Sequence, residues 1–167
     1  MIDTTGYIDP CWSIQEYYNL NYNQDTVDDT YLDKFLDAGH SRNQMCLYNY
    51  FEPNVMPESV SYIKSQFNKL SNLTAAINLI RPGQYMPYHS DLYARWRHVH
   101  NHHDLDTVVR IIVMLENSEP GQILQIGETT HSQWLAGNWF SWRGDTPHAI
   151  YNMSLKNRYA IQLTGNL

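Results

Sequence analysis

The chain has 167 residues, of which 43% are hydrophobic and 17% are charged, a balance typical of a folded protein of one domain. Its formal net charge of −6 argues against nucleic acid as a partner, because binding to a phosphate backbone requires a basic surface. No run of 18 apolar residues and no basic segment followed by an apolar one occurs, so we expect a cytoplasmic protein without a membrane partner.

Residues 1–70 are predicted to be helical and irregular, and to support the rest of the chain. Around residues 28–40 four apolar residues recur at helical spacing before Gly39; they are Tyr31, Leu32, Phe35 and Leu36. A second helix is predicted after Pro57, which suits a first-turn position. Its apolar stripe consists of Val60, Ile63, Phe67 and Leu70.

From about residue 73 onwards, short runs of strand-forming residues alternate with turn residues. Eight strands are predicted: Leu73–Ile80, Tyr85–Asp91, Thr107–Glu116, Gln122–Gly127, Thr129–Gln133, Asn138–Arg143, His148–Met153 and Arg158–Gly165. Eight short strands with helices at one end favour a mainly β fold. We predict a double-stranded β-helix, jelly-roll or cupin-like, with N-terminal helices packed against it in a single domain of residues 1–167.

A metal site is predicted at His89 and Asp91. Residues i and i+2 of a strand face the same side, so this imidazole and this carboxylate would point together into the barrel. His148 opens a later strand and is the candidate third ligand. Two histidines and one carboxylate form the facial triad of non-haem Fe(II) enzymes, which leaves coordination positions open.

The His-x-Asp pattern is weak alone, because a chain with eight histidines contains about one such match by chance. A second match, His102-x-Asp104, lies in the polar stretch Ala94–Asp106, which lacks a strand pattern and is predicted to be a solvated loop. Loops after metal-bearing strands also form lids and substrate surfaces, so Leu92–Asp106 is a candidate lid.

Two arginines and a tyrosine are candidate cofactor-binding residues. Arg158 follows His148 by ten residues and opens the last strand among small and polar neighbours, where a buried arginine needs an anion; a surface arginine at a strand end is the alternative. Arg110 lies in an apolar strand and could bind a co-substrate carboxylate or an acidic residue of the N-terminal half. Tyr85 has the same strand parity as His89 and is a candidate hydrogen-bond donor to a co-substrate, although core packing is the role expected more often of such a residue.

These residues together resemble the Fe(II)/2-oxoglutarate-dependent dioxygenases, whose signature is His-x-Asp, a distal His and, about ten residues later, Arg or Lys. The segment HAIYNMSLKNR at 148–158 is similar to the aspartyl/asparaginyl β-hydroxylase-like branch. Asp91 is a departure from the animal members of that branch, which lack the carboxylate ligand, and is shared with the prolyl hydroxylases. The resemblance covers about residues 73–165.

The resemblance implies an enzyme in which His89, Asp91 and His148 bind Fe(II) and Arg158 binds 2-oxoglutarate. With O2 it would hydroxylate a C–H bond of an amino acid, a peptide or protein side chain, or a small metabolite. Two alternatives stay open at the level of sequence: a cupin-like metal enzyme that does not use 2-oxoglutarate, and a non-catalytic jelly-roll binding module. The sequence defines neither the substrate nor the oligomeric state.

Overall fold

The computed structural model describes residues 4–27 and 29–167. The strands in these ranges are β1 (Thr5–Tyr7), β2 (Asn23–Thr26), β3 (Cys46–Phe51), β4 (Ser71–Ile80), β5 (Gln84–His89), β6 (Val108–Met114), β7 (Gln122–Ile126), β8 (Thr129–His131), β9 (Asn138–Arg143), β10 (His148–Asn152) and β11 (Arg158–Asn166). The α-helices are α1 (Asp29–Asp37), α2 (Glu58–Ser65) and α3 (Ala94–His100). None of the helices in the described ranges is long and apolar enough to span a bilayer.

The strands form two antiparallel sheets. The larger sheet has seven strands in the order β1-β9-β6-β11-β4-β3-β2, and the smaller has four in the order β5-β10-β7-β8. Most successive strands from β4 to β11 lie in opposite sheets; β7 and β8, which form a hairpin, are the exception. This alternation is the winding of a double-stranded β-helix, and the predicted fold class is confirmed.

The predicted strands agree with the observed ones to within two residues at each end. The N-terminal half differs from its prediction, because residues 1–70 contribute three strands besides α1 and α2. Two of these, β1 and β2, have only 3 and 4 residues and are largely exposed. Such short polar edge strands are held by backbone pairing and leave no periodic hydrophobic signal. The stretch predicted as a loop contains α3.

The larger sheet packs against apolar residues on both faces. On its outer face, the predicted apolar stripe packs against Ile77, Ile111 and Ile161. Ile63 of this stripe belongs to α2, and Phe67 lies in the turn that follows the helix. The inner face meets the smaller sheet in a second cluster that includes Ile112, Met114, Leu124, Ile150 and Ala160. Aliphatic side chains therefore line the middle of the barrel interior. The two buried arginines, Arg110 and Arg158, lie towards the two ends of the barrel interior.

Candidate metal centre

The smaller sheet brings the two candidate histidine ligands together. His89 ends β5 and His148 begins β10, and these two residues are paired directly across the strands. Asp91 follows β5 by two residues, and its Oδ1 and Oδ2 atoms lie 3.4 Å from His89 Nε2 and 3.7 Å from His148 Nε2. The three ligand atoms all lie within 4.8 Å of one another. The predicted triad is therefore assembled, in a geometry that could hold one metal ion.

Hydrogen bonds to the main chain orient both imidazole rings. His89 Nδ1 lies 2.6 Å from the carbonyl oxygen of Pro87, and His148 Nδ1 lies 3.1 Å from that of Thr146. A carbonyl oxygen only accepts, so each Nδ1 carries the proton and donates it. Each Nε2 therefore faces Asp91 and is the nitrogen available to a metal ion. Metal-binding histidines are commonly held in this way, with the distal nitrogen donating to a carbonyl or a carboxylate.

The charge states of the three ligands differ. Burial lowers the pKa of His148 to about 4, so this imidazole is neutral at physiological pH. Burial also lowers the pKa of His89, but its hydrogen bond to Asp91 and the charge of that carboxylate raise it above the ordinary value. For Asp91, burial raises the pKa, whereas the charge of Arg110 and the neighbouring histidines hold it well below its usual range. The site therefore combines an ionised carboxylate with at least one neutral imidazole.

Arg110 is bound to the candidate ligand Asp91. Its Nη2 atom donates to Asp91 Oδ2 at 2.5 Å and its Nη1 atom to Thr164 Oγ1 at 2.5 Å, while the guanidinium carbon lies 4.6 Å from the centre of the Tyr93 ring. The sequence suggested a co-substrate carboxylate or an N-terminal acid as the partner of Arg110. Its observed partner is neither of these. The guanidinium fixes one carboxylate oxygen and neutralises its charge, as expected of a residue that positions a metal ligand.

Substituting Arg110 with lysine is expected to weaken metal binding by about 10- to 100-fold, the usual cost of losing an outer partner of a metal ligand. Lysine keeps the charge but cannot bind Asp91 and Thr164 together with a planar fork. An anaerobic Fe(II) titration against a chelator of known affinity measures the change. Arg143→Lys, at an exposed position of the adjacent strand β9, is the matched control. Equal affinities in the two variants would contradict this role.

Arg158 is a buried cation without a counter-charge. Only 3% of its surface is exposed, its Nη2 atom lies 3.4 Å from the sulfur of Met114, and its guanidinium lies 5.1 Å from the Trp134 ring centre. Its Nε atom has no hydrogen-bond partner. No carboxylate of the described residues forms an ion pair with it, and burial lowers its pKa to about 9. A buried guanidinium in this state is suited to an external anion.

Arg158 and Arg110 lie towards opposite ends of the barrel interior. Arg158 and Thr164 are an even number of positions apart on β11, so their side chains lie on the same face of the strand. Thr164 is paired with Arg110, whereas Arg158 is paired with Ile80 of β4. The metal triad accordingly lies at the Arg110 end. Arg158, the predicted anion-binding residue, lies on the same face of β11 at the opposite end of the strand.

Comparisons with known proteins show the fold of this chain. No family model matches the chain, and neither does any curated protein. A prolyl-4-hydroxylase from Pseudomonas putida is similar in structure at 12% identity over 92% of this chain and 96% of that chain, with a TM-score of 0.57. A putative sugar phosphate isomerase from Acidithiobacillus ferrooxidans is similar at 11% identity over 93% of this chain and 74% of that chain, with a TM-score of 0.50.

The chain is a double-stranded β-helix. Identities this low show the fold alone. What this barrel does has to be argued from its own residues.

Tyr85 does not share the face of His89. The pairing of β5 with β10 is irregular between His148 and Ile150, so that Met86 lies opposite Ile150 and Tyr85 lies opposite Tyr151. Because of this bulge the parity argument from sequence is wrong for Tyr85. Its hydroxyl lies 2.6 Å from His40 Nδ1 and its ring stacks on Tyr151. Tyr85 therefore packs on the face of the smaller sheet that is opposite to the His89 side chain.

The second His-x-Asp motif does not form a metal site. His102 Nε2 lies 2.8 Å from the hydroxyl of Thr107 and 2.9 Å from the main-chain oxygen of Asp104. Within the described residues, the cluster that could hold a metal ion is the triad at the end of the barrel. Strand support distinguishes the two motifs, as the sequence suggested.

Three residues near the triad were not predicted. Tyr93 lies against Arg110, and the ring of Trp142 lies 4.8 Å from that of His148. Asp25 lines the cleft beside His89 and Asp91. Trp142 occupies an inward-facing position of β9, and the alternation of residues along that strand could have predicted it. Asp25, in the short polar strand β2, carried no sequence signal.

Proposed function

We propose that this protein is a non-haem Fe(II)- and 2-oxoglutarate-dependent oxygenase that hydroxylates an unactivated C–H bond. One observation carries the proposal. A His-Asp-His cluster at one end of the barrel interior is combined with a buried, unpaired arginine towards the other end. A metal enzyme that does not use 2-oxoglutarate has no need of the second feature, and a binding module has no need of the first.

The donor set fits Fe(II). His89 and His148 each offer an Nε2 lone pair, and Asp91 is ionised. Two imidazoles and one carboxylate leave positions open for a co-substrate and O2. When bound, the iron activates O2, and 2-oxoglutarate supplies two electrons as it is oxidised to succinate and CO2.

Arg158 fits the C5 carboxylate of 2-oxoglutarate. An arginine binds a carboxylate with two parallel hydrogen bonds, which would satisfy the free Nε and neutralise the buried charge. His148 and Asn152 mark the two ends of β10, about 13 Å apart at the usual rise per residue. Asn152 Nδ2 donates to the carbonyl of Ile80, the strand partner of Arg158. For Arg158 to bind the C5 carboxylate, 2-oxoglutarate and the Arg158 side chain must together span this separation.

Other residues of the chain prepare the site. Arg110 holds one oxygen of Asp91 and leaves the other towards His89. The Trp142 ring covers His148, which helps to exclude water from the ligand face. Asn152 donates to the carbonyls of Ile80 and Lys156, so it fixes the turn that leads into Arg158 rather than the ring of His148.

An anaerobic titration of Fe(II)-loaded protein with 2-oxoglutarate tests the proposal. Chelation of iron by the keto acid gives a visible metal-to-ligand charge-transfer band, which is expected for the wild type and for His103→Ala, at an exposed histidine, and absent for His89→Ala. Iron binding without the band would support a cupin-like metal enzyme that does not use 2-oxoglutarate. No iron binding at all would leave a non-catalytic binding module.

A further inference from the structure

Two clefts meet beside the metal triad. One of about 380 Å³ is lined by His89 and Asp91, and the other, of about 560 Å³, runs between β3 and α3. Asp25, Tyr93 and Ala94 line both of them, so the two clefts adjoin. A molecule bound in the larger cleft would therefore reach the metal ligands past Asp25.

The walls of the larger cleft combine apolar and aromatic surface. Phe51 of β3, Trp96 of α3 and Val99 contribute to its lining, along with Ala75 and Ala76 of β4. Trp96 is fixed in place because its Nε1 donates to the carbonyl of Asn72 at 3.0 Å. Fixed aromatic walls are suited to the carbon skeleton of a ligand.

Most charged groups of this cleft are already satisfied. Arg95 lies over the Phe51 ring at 3.8 Å, and Arg110 is bound to Asp91. Glu52 accepts hydrogen bonds from Lys64 Nζ at 2.8 Å and from the Ala75 amide at 2.9 Å. Each of these groups thus has a charged or aromatic partner in the protein, and Arg95 keeps its positive charge.

Asp25 is the exception. Its Oδ2 atom accepts a hydrogen bond from Asn49 Nδ2 at 2.8 Å, and none of the ion pairs in the described part of the chain involves it. Asn49 is itself held by Asn78, whose Nδ2 donates to Asn49 Oδ1 at 2.5 Å. Asp25 is exposed, and its pKa is raised overall, because desolvation outweighs the hydrogen bonds from the amide of Thr26 and the side chain of Asn49. Neutral donors thus orient the carboxylate without neutralising it.

We propose that the larger cleft binds the substrate, and that Asp25 is the counter-ion of an ammonium group on a substrate with an apolar carbon chain. This inference rests on the proposed function for its catalytic meaning. A substrate carboxylate in the same position would face the like charge of Asp25, which disfavours it. An ammonium group meets a fixed carboxylate, and its carbon chain meets Phe51 and Trp96.

Binding of matched probes to the metal-loaded full chain tests the inference without 2-oxoglutarate or turnover. The probes are N-acetyl-lysine methylamide and its neutral counterpart N-acetyl-norleucine methylamide. Their binding is measured by calorimetry at low ionic strength. The wild type is expected to prefer the lysine probe by about two- to fivefold, the range of an exposed ion pair, and Asp25→Asn to lose that preference. Asp9→Asn, which removes an equal charge from an exposed position outside both clefts, is expected to keep it.

Two results would overturn the inference: a wild type that binds both probes equally or neither, or an Asp25→Asn variant that keeps the preference. Unchanged thermal midpoints identify variants that remain folded. The outcome is separate from that of the proposed function. An Asp25-dependent preference without the charge-transfer band would refute the oxygenase and keep the cation site, whereas the band without the preference would do the reverse.

Discussion

Substituting Asp91 with alanine is expected to weaken Fe(II) binding by more than about 100-fold, beyond the usual effect of losing an outer partner of a ligand. Asp91 is the one anionic ligand of the cluster, and its two oxygens face both histidines. Without it, two imidazoles remain, one of them with a raised pKa in the intact site because of Asp91 itself. Anaerobic Fe(II) titration measures the loss.

The same substitution also affects stability, because it leaves Arg110 buried without its partner. Removing one member of a buried ion pair costs roughly 3–5 kcal/mol, which would lower the thermal midpoint of the metal-free protein. Asp91→Asn separates the two effects, since an amide oxygen still accepts from Arg110 but is a much poorer metal ligand. If Asp91→Asn binds iron with wild-type affinity, the carboxylate is not a metal ligand.

Replacing Arg158 with methionine is expected to abolish most 2-oxoglutarate binding while iron remains bound. Loss of one partner of a buried charge pair costs ~2–5 kcal/mol of binding free energy. Stability should change in the opposite direction to that of Asp91→Ala. The unliganded protein carries an unpaired guanidinium in contact with Met114 and Trp134, and replacing such a charge with a side chain of similar volume is neutral or stabilising.

Three measurements on Arg158→Met check this expectation: the iron affinity, the 2-oxoglutarate titration of the charge-transfer band, and the thermal midpoint without ligands. Arg81→Met is the matched control. Arg81 follows Ile80 at the same end of the barrel but is exposed and lies over the Tyr48 ring. If Arg158→Met binds 2-oxoglutarate as tightly as the control does, another group must hold the C5 carboxylate.

The barrel could be predicted from sequence because its strands are regular. The run from Asn138 to Arg143 was predicted to the residue, since turn residues bound it on both sides. The residues of the metal cluster could also be predicted, because both histidines lie at strand ends. Asp91 lies two residues beyond the end of β5, so alternation along the strand does not by itself explain why it faces His89.

The errors arose where tertiary context decides. A bulge opposite His148 reverses the parity of Tyr85, and one extra residue in a ladder leaves no mark on hydrophobic periodicity. Strand β2 exists because β3 offers it a free edge, so Asp25 reached the cleft without a sequence signal. The partner of Arg110 depends on which strands become neighbours, which the residues of β6 alone do not contain.

The division of the site between two sheets has a mechanical consequence. Both histidines belong to the four-stranded sheet, whereas Arg110 and Arg158 belong to the seven-stranded sheet. Three kinds of contact set the spacing between them: side-chain packing that includes Ile150 and Met114, the ion pair between Asp91 and Arg110, and the hydrogen bond from Asn152 Nδ2 to the carbonyl of Ile80. A displacement of one sheet over the other would therefore disturb Asp91 as well as the spacing between the triad and Arg158. The distance from the triad to Arg158 is thus fixed by the contacts between the sheets.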